Sequence, residues 1–570
     1  MPLRWPRHVS FLAFIVLVSC EPAAPAAPLG SPSGPTTPSQ PPRTLQAAVR
    51  LEPSNVATRS FVQAGVALYL SKRMFNAGLA DLDPNAMAHP YLAEVLPQLG
   101  SDDWRVLPDG RMETTHRLRA NLSWHDGTPL SAEDFVFSWR VYTRAELGQA
   151  NLPPFTSIDE VSAPDDRTLH IRWNRLYPDA AALVERDREF PPLPRHLLQT
   201  AFTTLDADAF INHPFWTRDY VGLGPYRLTR WDPGTAIEAV AFEQHALGRA
   251  RIERIRLSFI QDTNATLAHF LSGELHFAAD GALDVEQVPT LRRQWSDLGG
   301  VELHPNQWRS IVFQQRPELG TSRAILDPRV RKALAHSVEK SGINEAIYAG
   351  GSLLADFMIP PVALYGGPID RAIAKYPYDL RRSEQLMNEA GFTRGNDGMY
   401  AGAEGRFVVE SKANASSDNV SEQQVVASEW RRAGFDVQEA ILPAAQAQDN
   451  QVRSSFTGVY TFNTGLGVSA LLNYTSERIP RPENRWQGGN RGGWSNASYD
   501  RLAASFTTTL EQSEREQQAV EMARIFADDL PAISLFFRTQ PWIYVKGLTG
   551  LQLVAPESNM SWNIHTWEFR

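Results

Sequence analysis

Few residues in this chain have the types and spacing that chemistry would need. Ser337-Val-Glu-Lys340 sets an amine three positions after a hydroxyl, the spacing at which a lysine can activate a serine nucleophile. Ser417-Asp418-Asn419 is a second polar triplet of the same kind of chemistry. His125-Asp126 is a base beside a carboxylate, but adjacent residues in an Asp-Gly turn point apart and no nucleophile motif accompanies them. The thirteen histidines form no HxH, HxxxH or HExxH cluster, so a dedicated metal site has no support. Cys20 is the single cysteine, which excludes an intramolecular disulfide, a thiolate zinc site and a catalytic thiol in the body. No G-x-S-x-G, no phosphate-binding G-x-x-x-x-G-K-[ST] and no glycine-rich nucleotide fingerprint occurs. No residue is assigned as catalytic, and no cofactor or metal is expected.

The elements that would position any site alternate between strand and helix. In the stretch 109–139, Met112, Thr114, His116 and Leu118 share one face of a period-two strand. Asp126-Gly127 is a turn, and Ser131 with Asp134 is a capping-box-like start for a helix carrying Phe135, Trp139 and Tyr142. Strands are expected at 45–51, 237–242, within 252–260 and at 309–313, and strands or strand ends at 94–99 and 168–173. Helical spacing marks 66–75, 264–271, 378–390 and 425–433, and Val330, Leu334 and Val338 mark one more. One or two further helices fit within 499–530. The alternation predicts an α/β fold.

Several short motifs, in one order, resemble a known family. The stretch 109–139 is similar to the signature YTFHLR, then WHDG-x-P-L-x-A-x-D-V-x-F-S-W, of extracytoplasmic solute-binding proteins of the peptide/nickel/opine type. Met74-Phe-Asn-Ala-Gly-Leu79, Tyr91-Leu-Ala-Glu94, Gly222-Leu-Gly-Pro-Tyr226, Leu271-Ser-Gly-Glu-Leu275, Asp327-Pro-Arg-Val-Arg-Lys-Ala-Leu334 and Ala390-Gly-Phe392 resemble further family motifs. The resemblance implies a two-lobed periplasmic-binding-protein clamshell of type II, in three spatial domains. Lobe one would comprise 45–76, 220–313 and 540–570, with an inserted domain at 77–219, and lobe two would be 314–539. Strands near 309–316 and 535–545 would form the hinge. It also implies the substrate-binding component of an ABC importer, a monomer that captures a solute, a peptide first, and delivers it to a membrane permease.

The ends fit that expectation. Arg4 and Arg7 precede an apolar run, Val9 to Val18, that is too short to span a bilayer. Leu17-Val-Ser-Cys20 resembles a lipobox, so residues 1–19 read as a lipoprotein signal peptide and Cys20 as the lipidated, membrane-anchoring residue. Residues 20–43 read as a tether, with prolines recurring mostly every third position as polyproline II favours. Its stretch from Glu21 to Pro42 would reach roughly 65–70 Å fully extended, at ~3.1 Å per residue. The expected location is periplasmic, lipid-anchored. The body is 43% hydrophobic and 21% charged in total-chain terms, and the net charge of −9 argues against nucleic acid as a partner.

Ligand-binding candidates come from the resemblance and from loops rich in aromatics. The segment 456–465 resembles the family stretch that carries a Trp and, in peptide binders, an Asp for the α-amino group. Phe462 stands at the Trp, Gly465 or a neighbour at the Asp, and Tyr460 and Asn463 flank them; no Asp occurs between 450 and 499. Glu52 is a substitute carboxylate after the first strand, and Trp308 precedes the expected hinge strand. Trp486, Arg491 and Trp494 belong to a glycine-rich loop that can present rings and amides, with Arg491 able to fork onto a ligand carboxylate. Two rival readings remain at this point. S-x-x-K and S-D-N both occur in penicillin-recognising serine enzymes, although K-T-G is absent; alternatively, a ligand sensor could use the same scaffold.

Overall fold

The computed structural model describes residues 44–59, 61, 69–184, 189–320, 322–446 and 449–570. The expected signal peptide, the expected tether and Cys20 lie outside the described residues. So do the side chains of Ser417 and Asp418. Residues 42–570 form one compact unit.

One mixed sheet of eleven strands runs through this body. Its strands are β1 (Thr44–Val49), β2 (Tyr226–Asp232), β3 (Ala236–Ala241), β4 (Arg254–Phe259), β5 (Phe277–Ala278) and β6 (Gly299–Phe313). They continue with β7 (Leu353–Leu354), β8 (Val408–Asn414), β9 (Asp436–Leu442), β10 (Val459–Thr464) and β11 (Ala532–Val545). The spatial order is β9-β8-β10-β6-β11-β5-β1-β4-β3-β2, with β7 added on β11. Thus, among the described residues, β6 and β11 are the two strands that belong to both halves. They pair antiparallel from Gly299↔Val545 to Val312↔Ala532.

The pairing is interrupted in the middle. The register shifts between Pro305 and Gln307, and Pro541 sits opposite Leu303. Proline has no N–H to give a ladder, so it is tolerated at such an irregularity and weakens the pairing there. The strands β1 and β5 run parallel to each other and β5 runs against β11 towards this point. From the other side, β8 and β10 run parallel and β10 runs against β6 towards Trp308. The carboxyl ends of four strands therefore converge on the interrupted crossing.

Alternation along the strands separates the cores. Trp308 and Val312 with Tyr460 and Phe462 enter one apolar cluster, while Ile311 and Phe313 with Val459 enter another on the opposite face. The second cluster is covered by helices α1 (Pro328–His336), α2 (Lys340–Tyr348) and α3 (Ser417–Arg432). The first packs against α4 (Asn450–Ser454) through Val452 and α5 (Gln512–Asp529) through Met522 and Phe526. A third, larger cluster joins β1–β4 to residues 77–219 and to the C-terminal segment, including Trp567.

Residues 77–219 carry their own four-stranded sheet, in the order 104–106, 112–117, 168–173, 158–165. The expected helix after the Asp-Gly turn spans Ala132–Tyr142, where the Ser131 amide donates to Asp134 Oδ2 at 3.0 Å. The WHDG turn is a clasp. His125 accepts from the Gly222 amide at Nδ1 (3.1 Å) and its Nε2 lies 2.9 Å from the Gly224 carbonyl. A Cβ on Gly222 would lie 2.0 Å from the Phe75 carbonyl, and one on Gly224 would lie 2.5 Å from the Asn76 amide. Only glycine lets the motifs at 74–79, 124–127 and 222–226 meet. Asp126 turns away to His196, at 2.8 Å. His116 is a packing residue with Nε2 3.1 Å from the Ala181 carbonyl.

Some expectations need correction. Residues 94–99 are not a strand; Ala93 makes a single bridge to Leu118, and the Glu94 amide donates to Arg117. Pro97 has no donor with which to extend that bridge. The strand expected at 309–313 starts ten residues earlier, at Gly299. The helix expected at 425–433 begins at Ser417, and two helices fill 497–506 and 512–529.

A candidate solute site at converging strand ends

In open α/β sheets, ligands bind outside the carboxyl ends of the strands. Here one such edge follows β1 and β5. Arg50, Leu51, Asp280 and Asp284 line a cavity of about 480 Å³ there, closed by Gln307, Tyr348, Ser352 and Arg538 from the crossing strands and beyond. Tyr348 donates to Glu422 Oε2 at 3.2 Å. Glu422 is fully buried and takes the Arg309 Nε at 2.9 Å, while Arg309 also reaches Asn463 Oδ1 at 3.4 Å. A continuous polar chain thus links the cavity wall to the end of β10.

The opposite edge follows β8 and β10. The Tyr460 hydroxyl donates to Asn414 Oδ1, which ties the two strand ends together. The Arg491 guanidinium lies 5.2 Å over the Phe462 ring. Burial, and after it the like charge of Arg453, lowers the Arg491 pKa to about 10. The loop that presents Arg491 is glycine-rich for steric reasons. A Cβ on Gly492 would lie 2.3 Å from the Phe313 carbonyl, and one on Gly493 would lie 2.5 Å from the Arg316 stem. Asn490, fully buried, pins the loop by donating to the Tyr474, Thr475 and Trp494 carbonyls.

The residues expected from the sequence fall into two groups. Phe462, Asn463 and Arg491 come together at the end of β10, and Trp486 sits half-buried earlier in the same loop. Trp308, Tyr460 and Trp494 are buried members of the core on that face, and Phe462 belongs to the same core. Trp494 packs 5.5 Å from Phe526 and gives its indole N–H to Asp529 at 3.1 Å, so it braces the loop from inside rather than facing solvent. Glu52 is engaged elsewhere. Its carboxylate accepts from Trp231 Nε1 (2.6 Å) and the Gly234 amide (2.8 Å), which fixes the turn between β2 and β3. Sequence reasoning missed Arg453, Arg316 and Asn490, because nothing in their neighbours distinguishes them from other loop residues.

The serine–lysine reading fails on geometry. Ser337 is fully buried and its hydroxyl donates to the Leu334 carbonyl at 2.8 Å. Lys340 instead bonds the Ala355 carbonyl (2.7 Å) and Asp356 (3.0 Å). No group of three or more His, Cys, Asp or Glu side chains suited to a metal occurs among the described residues.

A mixed α/β body with two halves joined by a pair of crossing strands, and strand ends facing the join, is a periplasmic-binding-protein fold, built to hold a solute rather than to transform it. The chain belongs to the bacterial extracellular solute-binding proteins, family 5, whose middle region matches residues 94–476. A Brucella ovis protein provisionally named an ABC transporter peptide-binding protein is 24% identical over 293 residues, 51% of each chain. This chain therefore matches about half the length of that curated relative. Among solved structures, the Thermus thermophilus oligopeptide-binding protein with a bound pentapeptide is 23% identical, with a TM-score of 0.65 over 92% of this chain and 96% of that one. Campylobacter jejuni NikZ with Ni(L-His) is 20% identical, with a TM-score of 0.67 over 93% and 100%. These two likenesses carry the fold alone.

Proposed function

We propose that this protein is the receptor of an ABC importer, that its solute is a peptide, and that a lipid on Cys20 holds it to the membrane on the extracytoplasmic side. The observation that carries the reading is the convergence of β1, β5, β8 and β10 on an interrupted pair of crossing strands. Lobe one is 45–76, 220–313 and 540–570 with the insertion at 77–219, and lobe two is 314–539. Contacts already bridge the lobes: Arg515 meets Asp179 at 3.2 Å, and the Val468 amide meets Glu557 at 3.4 Å. A solute touching both lobes would favour the closed form, and the permease would read that form. The names of relatives from Brucella ovis and Thermus thermophilus support a peptide. Phe462, Asn463, Trp486 and Arg491 are the lobe-two contacts in this reading, with Trp308, Tyr460 and Trp494 supporting them from the core. Native mass spectrometry of the purified protein tests it: co-purifying peptides are expected. A thermal-shift screen answered only by oligosaccharides or metal chelates would overturn the peptide.

A further inference from the structure

Other buried arginines in this protein have a carboxylate or several carbonyls as partners, even where one nitrogen is left over. Arg73 meets Asp81 at 2.9 Å and Glu189 at 2.6 Å, and Arg309 meets Glu422. Arg331 spends its guanidinium on the carbonyls of Ile325, Leu326, Asp529 and Leu530. The edge beyond β8 and β10 breaks the pattern. Arg453 and Arg491 each have a buried Nε without a hydrogen-bond partner, and neither has a carboxylate partner among the described residues. They are close enough for the charge of Arg453 to disfavour that of Arg491. Tyr474 supplies no compensating charge, because burial pushes its pKa above the ordinary value.

The two arginines are also held together by a third. Arg316 donates to the Ser454 carbonyl, next to Arg453, and to the Arg491 carbonyl at 2.8 Å. Its own charge is dispersed over these carbonyls, that of Pro480 and Gln314 Oε1. So one buried cation fixes the backbones that carry two others. Unpaired charges that share a poorly hydrated site are costly. A polar atom left unsatisfied in a native fold calls for a missing partner.

We propose that Arg453 and Arg491 are the seat of an anionic group on the solute, a terminal carboxylate first, with Phe462 as its apolar floor. Two adjacent guanidinium forks can take one carboxylate with charge-assisted hydrogen bonds from both sides. The seat rests on the reading of the protein as a solute receptor, and it deepens that reading from "a peptide" to a ligand whose free acid end lies against lobe two. It also replaces the missing Asp near Gly465 as the main charge contact. The solute would then be fixed by its acid and not by its amine on this side.

The test uses protein freed of co-purified solute by unfolding and refolding, titrated calorimetrically with four probes: tetra-alanine, tetra-alanine amide, succinate and inorganic phosphate. Tetra-alanine is expected to bind at least about 30-fold more tightly than its amide. Arg453→Gln and Arg491→Gln should bring that ratio close to one, and Arg491→Lys should restore part of it. In ligand-free protein, Arg453→Gln should leave the melting temperature unchanged or raise it, because a like-charge contact is relieved; an arginine with a purely structural role would lower it. Equal binding of peptide and amide by the wild type would overturn the seat and leave the peptide receptor standing. If neither peptide binds while succinate or phosphate does, and both Gln variants abolish that response, the seat stands and the peptide reading falls. A wild type that answers none of the four overturns the seat.

Discussion

Two groups of cations, one in each half of the molecule, are treated in opposite ways. In the first half, Lys72 and Arg73 share Glu189 and Asp81 in a closed network of four buried or nearly buried groups. Burial works against the Arg73 charge, but the two carboxylates outweigh it and its pKa stands above the ordinary value. In the second half, neither Arg453 nor Arg491 has a carboxylate partner among the described residues, and burial lowers the Arg491 pKa. The first network sits where 69–75 meets the insertion, far in sequence from any strand end that faces the crossing. The second sits at the ends of β8 and β10. The first group is neutralised internally; the second, in the seat proposed above, awaits an anion from solvent, although Arg309 close by is already paired with Glu422.

That contrast can be broken or sharpened by measurement. The largest effect should come from acid. Burial lowers the pKa values of His116, His125 and His245 to about 4 from an ordinary 6.5, and all three lie in the first half. Well above pH 6.5 neither state binds these protons. As pH falls towards 4 the unfolded chain takes them up and the native state does not, so stability is lost across that window, on the order of 3 kcal/mol per histidine. Urea melts at pH 7.5 and 4.5 should show it; coincident midpoints would refute it. Next, Glu189→Gln should cost about 3–5 kcal/mol in the same melts, because it leaves Arg73 and Lys72 short of an anion. A loss below 1 kcal/mol would mean that the network is not what secures the insertion. Trp494→Ala should cost about 3–5 kcal/mol as a core truncation, with any loss of binding secondary to the loosened loop. Undiminished stability with lost binding would return Trp494 to the solute. Smallest, and opposite in sign, Arg453→Gln should stabilise the ligand-free protein by no more than about 1 kcal/mol.

Much of the scaffold was legible in the sequence because its signals are local. Alternation at Met112 to Leu118, the Asp-Gly turn and the Ser131–Asp134 start each act within a few residues, and each is found where expected. The family motifs carried the rest. They encode close approaches such as Gly222 and Gly224 against Phe75, which no other residue would permit. The site was less legible. Trp308, Tyr460 and Trp494 have the composition of a binding wall, but strand parity turns the first two into the core, and parity depends on a pairing register that a single strand does not reveal; Trp494 is drawn inward by its loop, against Phe526 and Asp529. Glu52 is claimed by Trp231 and Gly234, nearly 180 residues away. Arg453 gains meaning only beside Arg491 and Arg316, which come from three separate segments.

The order of the strands also governs how the chain must fold. The first strand, β1, is flanked by β4 and by β5, and β5 is sealed in turn by Tyr544 and Ile543 of β11. The earliest strand of the sheet therefore has no neighbour within 200 residues, and its outer flank is completed only by one of the last segments to be made. Pairings of such long range are slow to form, because their loop entropy is lost before their contacts are gained. A growing chain would hold β1 without its sheet until synthesis is nearly finished. For a protein that must cross a membrane before it works, late completion is useful: it keeps the chain threadable until the far side is reached.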